Sequence, residues 1–286
     1  MKMKYAILSL FLAGAPCLDA LAQQATLTKL WSTDTTLKVP ESVCFDAKRK
    51  ILYVTNIDGQ PWGKDGQGFV SRVSPKDGKI VALRWVEGLH APKGMGLYKN
   101  RLYVADLNEV VVIDIEKGAI EKRIAIANAE GLNDITVAPN GQVLVTDSRK
   151  KTVHVVVPET NSGPYLDSAR SGLKGPNGIL ASPAGLLVLD DSSVKLAGVD
   201  GTLTKVAPAS NGADGIEHVK GDEYIVSCWK GDVYYVNIKN NTADKILDTQ
   251  AEKLQTADIG YDPKKKIVYI PTFFGNHVTA YKLTVN

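Results

Sequence analysis

Apolar and polar positions along the chain change phase in one recurring phrase: a small or polar anchor, a short apolar run, a turn, then a second apolar run rich in Val, Ile, Leu and Tyr. Six copies are present: PESVCFDAKRKILYVTN from Pro40, PKGMGLYKNRLYVAD from Pro92, LNDITVAPNGQVLVTDS from Leu132, PNGILASPAGLLVLDDS from Pro176, ADGIEHVKGDEYIVSCW from Ala213 and ADIGYDPKKKIVYIPTF from Ala257. Their anchors, Glu41, Lys93, Asn133, Asn177, Asp214 and Asp258, are spaced by 52, 40, 44, 37 and 44 residues. Short apolar runs closed by Asp, Asn, Pro or Gly predict strands. A third strand-like piece follows each copy, at residues 68–73, 110–115, 153–157, 194–199, 233–238 and 278–283, with fourth pieces such as 80–86 and 120–126. Four strands in a repeat of about 40–45 residues predict a propeller blade, because one such sheet buries both faces only when neighbours pack on it. The second runs are apolar nearly throughout, as suits strands sandwiched between blades. The fold predicted is an all-β, six-bladed β-propeller.

The sixth copy ends without a fourth strand. Residues 25–31, ATLTKLW, alternate in the matching way. They are expected to close the ring by pairing with the strand that ends near Leu283, which hides two sheet edges.

Residues 1–22 stand apart. Lys2 and Lys4 precede an apolar run over residues 6–15 that is too short to cross a bilayer, and Ala20-Leu21-Ala22 is a small-x-small cleavage signal. A secretory signal peptide is expected over 1–22, with the propeller domain over 23–286 and the protein exported to a periplasm or the extracellular space. The 264 residues that remain divide into 44 per blade. No later segment reaches 18 uninterrupted apolar residues, so no membrane span is expected. The remaining 32 basic and 30 acidic residues are too balanced for a nucleic-acid surface. Cys44 and Cys228 admit a disulfide in an oxidising compartment, or two buried thiols acting as small hydrophobes.

In a propeller the first strand of each blade lines the central channel, so the six anchors are expected to converge at one mouth. Five of them carry a side-chain oxygen, the ligand type a hard cation selects. Taken singly, Asn177-Gly178 and Asp214-Gly215 also suit ordinary turns. The four histidines, His90, His154, His218 and His277, show no metal-ligand spacing.

The order Pro-Glu-Ser in the first copy, Leu-Asn-Asp in the third, Pro-Asn-Gly in the fourth and Ala-Asp-Gly in the fifth resembles the gluconolactonase and regucalcin-like (senescence marker) family across essentially all of residues 23–286. The resemblance implies one divalent cation at the channel mouth, Ca²⁺ first, with Mg²⁺, Mn²⁺ or Zn²⁺ as alternatives. Glu41, Asn177 and Asp214 look like its ligands, and Asn133 like a residue that contacts substrate or completes the site through water. It further implies hydrolysis of a lactone or related ester, with the cation polarising the carbonyl and Asp214 or Asp134 as general base. Three departures stand out. Ile135 follows Asn133-Asp134 where many relatives have Gly, Gly131 stands where sugar-lactone members often carry an Arg, and Lys93 adds a fixed charge facing the channel. Lys93 and His90, three residues before it, are candidate substrate-binding residues. The insertion at residues 58–67, which carries Trp62, is expected to cap the mouth. A monomer acting on a small molecule is expected; the competing reading is a non-catalytic propeller that binds a ligand or protein at the same mouth.

Overall fold

Each four-strand phrase folds as one antiparallel sheet whose strands follow chain order outward from a common axis, as seen in a computed structural model that describes residues 25–157 and 163–286. The expected signal peptide lies outside the described residues. Blade one comprises Pro40–Asp46, Ile51–Asn56, Gly68–Val73 and Ile80–Leu89; blade two Pro92–Tyr98, Arg101–Asp106, Glu109–Asp114 and Ala119–Ala125. Blade three comprises Leu132–Val137, Val143–Asp147, Thr152–Val156 and Gly163–Leu166; blade four Ile179–Ser182, Gly185–Asp190, Ser193–Ala197 and Leu203–Pro208. Blade five comprises Ala213–Lys220, Glu223–Cys228, Asp232–Asn237 and Thr242–Asp248. Blade six has Gly260–Asp262, Ile267–Pro271 and Val278–Val285, and its outermost strand is Ala25–Ser32 from the other end of the described chain.

Closure is antiparallel, with Ala25 opposite Val285 and Leu27 opposite Leu283, as the alternation of residues 25–31 predicts. The innermost strands touch in succession around the ring. Apolar cores lie between blades. Ile51, Tyr53 and Val70 of blade one, for example, pack on Met95, Val104 and Val111 of blade two. The second strands Ile51–Asn56 and Glu223–Cys228 are buried at every position, which explains why their sequences do not alternate. Each fully buried Val, Leu or Ile in such a layer contributes about 1.5–3 kcal/mol. Outer strands such as Ala119–Ala125 (AIEKRIA) face water with their charges.

Cys44, on the inner strand of blade one, and Cys228, at the end of the second strand of blade five, are free thiols. Among the described residues no helix is long and apolar enough to cross a membrane.

Candidate functional site at the channel mouth

Four anchors sit where the inner strand slips out of register with the second strand. Pairing jumps from Pro40 to Val43, from Pro92 to Met95, from Leu132 to Ile135 and from Ala213 to Ile216. A bulge of this kind releases residues from the ladder and re-aims a side chain. The residues released include Glu41, Lys93, Asn133 and Asp214. The following N–H, now free of the ladder, is taken up in three blades by a hydroxyl of the second strand. Ser42 N donates to Thr55 Oγ1 at 3.0 Å, Asp134 N to Thr146 Oγ1 at 2.9 Å and Gly215 N to Ser227 Oγ at 2.9 Å.

The approach to the anchors is held by the residue that closes the second strand. Asp106 accepts from His90 N at 2.9 Å and Ala91 N at 2.8 Å; Asp147 accepts from Glu130 N at 2.9 Å and Gly131 N at 3.1 Å. Asp190 accepts from Lys174 N at 3.0 Å and Gly175 N at 2.7 Å, and Asn56 Oδ1 from Lys38 N at 2.9 Å. These donors lie two and three residues before an anchor. The signal in the sequence is the Asp or Asn closing each of the runs VTN, VAD, VTD and VLD. Gly178, directly after its anchor, lets blades four and five approach: a Cβ there would lie 2.2 Å from the Asp214 carbonyl oxygen.

At the mouth Lys93 Nζ lies 3.8 Å from Glu41 Oε1, and Asn177 Nδ2 donates to Asp214 Oδ1 at 3.0 Å. Asn133 Nδ2 donates to Ser148 Oγ at 3.0 Å, which in turn donates to the Pro176 carbonyl at 2.6 Å. Two buried acceptors, Glu41 Oε2 and Asn177 Oδ1, have no hydrogen-bond donor. Burial pushes the Glu41 carboxyl up to about 7 against the pull of Lys93. Burial, and next the Glu41 charge, hold Asp214 well above the usual carboxylate range. Lys93 is lowered by burial, although Glu41 and Asp214 oppose the shift. Among the described residues no group of three or more His, Cys, Asp or Glu side chains could hold a metal ion. Glu41, Asn177 and Asp214 are two carboxylates and an amide, a set suited to a hard cation, and the two unpaired acceptors belong to this set. The residues therefore fit such an ion chemically, with Lys93 standing beside one of them.

Asp134 and Asp258 are bound into the ring. Asp134 accepts from Ile135 N at 2.6 Å and from Ile179 N of blade four at 2.8 Å, while Asp258 takes the Ser42 hydroxyl at 2.5 Å and so joins blade six to blade one. Further along the inner strands these two line a cavity of about 180 Å³ with Glu217, Cys44 and Thr136. Burial raises Asp134 to about 8, against the pull of the Ile179 and Ile135 N–H groups. Burial and then the Asp134 charge raise Glu217 to about 8. Glu217 carries no signal in the sequence beyond its place in an inner strand.

The insertion in blade one reaches over the mouth, as expected. Lys93 Nζ lies 4.3 Å and the Arg149 guanidinium carbon 4.5 Å from the centre of the Trp62 ring. Trp62 also packs on a buried apolar group formed by Ile57, Ala91, Leu107, Ala257 and Phe273. His90 props this insertion, its Nδ1 accepting from Gly66 N at 3.0 Å. Beside the mouth a cleft of about 390 Å³ is lined by Asn133, Ser148, Lys174, Asn177, Asp191 and Asn211, among others. Arg149 was not legible as a site residue. It lies in the turn after Asp147, and only the fold brings its stem against Gly131, where a Cβ would meet Arg149 Cγ at 2.7 Å.

No protein-family description matches the chain, and no curated protein matches it in sequence. Solved structures do resemble it. A streptogramin B lyase is similar at 12% identity, with a TM-score of 0.63, over 92% of this chain and 98% of that one. A catalytically inactive virginiamycin B lyase from Staphylococcus aureus with quinupristin matches at 15% identity and TM-score 0.60, over 92% of this chain and 100% of that one. A chain of a nidogen/laminin complex matches at 16% identity and TM-score 0.63, over 78% of this chain and 84% of that one. At such identities the likeness concerns the propeller alone.

Proposed function

We propose that the protein is a metal-dependent hydrolase of the gluconolactonase-like type, acting on a lactone or related ester at the channel mouth. The observation that carries this reading is the pair of buried, donorless acceptors, Glu41 Oε2 and Asn177 Oδ1, on the residues the family resemblance assigns to a cation. Glu41, Asn177 and Asp214 would hold the ion, Ca²⁺ by preference, with Mg²⁺, Mn²⁺ or Zn²⁺ as alternatives. When bound, the ion would polarise the substrate carbonyl. Asn133, tied to Ser148 on the wall of the cleft, orients the substrate. Asp214 is favoured over Asp134 as proton acceptor from water, because both oxygens of Asp134 already take backbone N–H groups. Its raised affinity for a proton brings it nearer the working pH of a general base. The same reading has residues 1–22 removed on export and the mature chain working as a monomer.

The test is turnover of a lactone panel with calcium and with chelator, alongside calcium binding by calorimetry. Asp214→Ala is expected to abolish both binding and turnover. Hydrolysis that persists in chelator and survives Asp214→Ala would discard the proposal. A second reading, a non-catalytic ligand-binding propeller, is favoured by Lys93, which already sets a positive charge 3.8 Å from Glu41. It expects ligand binding that is indifferent to chelator, and no turnover. The fold does not choose between them, since its structural neighbours include lyases and a protein–protein complex.

A further inference from the structure

Arg149 differs from the other charged side chains around the mouth and cleft. Lys93 faces Glu41 at 3.8 Å, Lys174 faces Asp191 at 2.5 Å, Lys195 faces Asp190 at 2.6 Å, and Lys150 pairs with Glu130. The Arg149 guanidinium has no carboxylate partner among the described residues; it lies over the Trp62 ring. Its position is nonetheless built from three sides. Its stem fills the space above Gly131 that any Cβ would occupy. Its own N–H is held by Asp147 Oδ1 at 3.1 Å. The Trp62 loop beneath it is tethered by His90 to Gly66 and by Arg84 to Asp58. An arginine stacked on an indole loses little further freedom on binding, and its planar fork of N–H donors matches a carboxylate in two parallel hydrogen bonds. Its neighbour Ser148 lines the cleft, so a ligand held by Arg149 has room to extend toward Asn133 and Asn177.

We propose that Arg149 is a carboxylate-recognition residue, and that the ligand of this mouth is a small molecule bearing a free carboxylate whose remainder lies in the adjoining cleft. The proposal rests on the hydrolase reading only for the idea that this molecule is also a lactone or ester; recognition of the acid group stands without turnover. Lys93 assists through charge, cancelling Glu41 so that the approach of an anion is not opposed there. Asp214 also faces the mouth, and its hydrogen bond from Asn177 moderates its repulsion.

The test uses phenylacetate and succinate, with phenylacetamide and succinamide as neutral counterparts, titrated by calorimetry and by tryptophan fluorescence in the presence of chelator. The acids are expected to bind the wild-type protein at least about tenfold more tightly than the amides, a difference that corresponds to about 1.4 kcal/mol. Arg149→Gln should erase that preference while leaving thermal stability and calcium binding unchanged, because the side chain is exposed and makes no ion pair. Arg149→Lys should restore part of it, and Gly131→Ala, which displaces the stem without removing charge, should weaken it. Trp62→Phe should silence the fluorescence response but not the calorimetric one. Equal affinity for acid and amide, an unaltered preference in Arg149→Gln, or no binding of any probe would overturn the proposal. Lactone turnover that persists in chelator and survives Asp214→Ala overturns the hydrolase alone, so the two proposals fail separately.

Discussion

Replacing Asp147 tests how the ring holds its site. The carboxylate is fully buried and accepts four backbone N–H groups: Glu130 at 2.9 Å on Oδ2, and Gly131 at 3.1 Å, Arg149 at 3.1 Å and Lys150 at 2.9 Å on Oδ1. Burial pushes its proton affinity up, but His154 and the N–H groups of Lys150 and Glu130 outweigh burial and hold it below the usual carboxylate range. In Asp147→Ala the Gly131 N–H, which is buried, loses its acceptor outright, at a cost of about 1–3 kcal/mol. The other three bonds are partly wet and water replaces them in part, at about 0.5–1 kcal/mol each. The sum is about 2.5–6 kcal/mol, a large share of the roughly 5–15 kcal/mol that stabilises a typical domain. Asp147→Asn retains an oxygen for the three donors on Oδ1 but turns an NH₂ toward Glu130 N, so about 1–2 kcal/mol is expected. Denaturant unfolding at neutral pH measures both. Because the native carboxylate is lowered, its contribution is complete above the ordinary carboxylate pKa and is lost as pH falls through its own lower value, so the gap between wild type and Asp147→Ala should narrow in strong acid. A loss under about 1 kcal/mol for Asp147→Ala, or a gap independent of pH, would refute the view that these strand-end carboxylates clamp the loops carrying Asn133 and Arg149.

Ring closure predicts that Leu283→Ala, a truncation at a fully buried position opposite Leu27, costs about 2–5 kcal/mol in the same unfolding measurement; a loss below about 1 kcal/mol would contradict it. Glu41, Asp134 and Glu217 are raised to about 7, 8 and 8, so in the folded state they resist ionising. Their contribution is most favourable below the ordinary carboxylate range and is lost as pH rises through the raised values, so melting temperature in chelator should fall between about pH 4 and pH 8 and level off above. Added calcium should reduce that fall, and a flat or rising profile in chelator would refute it. Gly178→Ala forces a Cβ to 2.2 Å from the Asp214 carbonyl oxygen, so it should destabilise by about 1–3 kcal/mol and weaken calcium binding more than Gly175→Ala, whose Cβ would meet nothing closer than the Ser148 carbonyl oxygen at 3.8 Å.

Much of the ring was legible because its blades repeat a local pattern. The two apolar runs, the residue closing the second run and the spacing of the anchors are short-range features, and each reappears as an inner strand, a buried second strand and a clamp. Closure by residues 25–31 was also readable, since an alternating strand without a blade and a blade without a fourth strand have one simple solution. What the chain by itself determined is therefore the blade, its number and the residue types presented toward the axis. Only the tertiary structure decided how those residues divide. Glu41, Lys93, Asn133, Asn177 and Asp214 stay at the mouth, whereas Asp134 and Asp258 are spent on bonds between blades and join Glu217 around a deeper cavity. It also set Arg149 in the space above Gly131, in the blade where the sequence had shown only a missing arginine. The physical reason is that a propeller site is assembled from six sheets. Strand periodicity acts within one sheet, while bulges, glycine contacts and the approach of neighbouring blades decide which side chains meet across the axis.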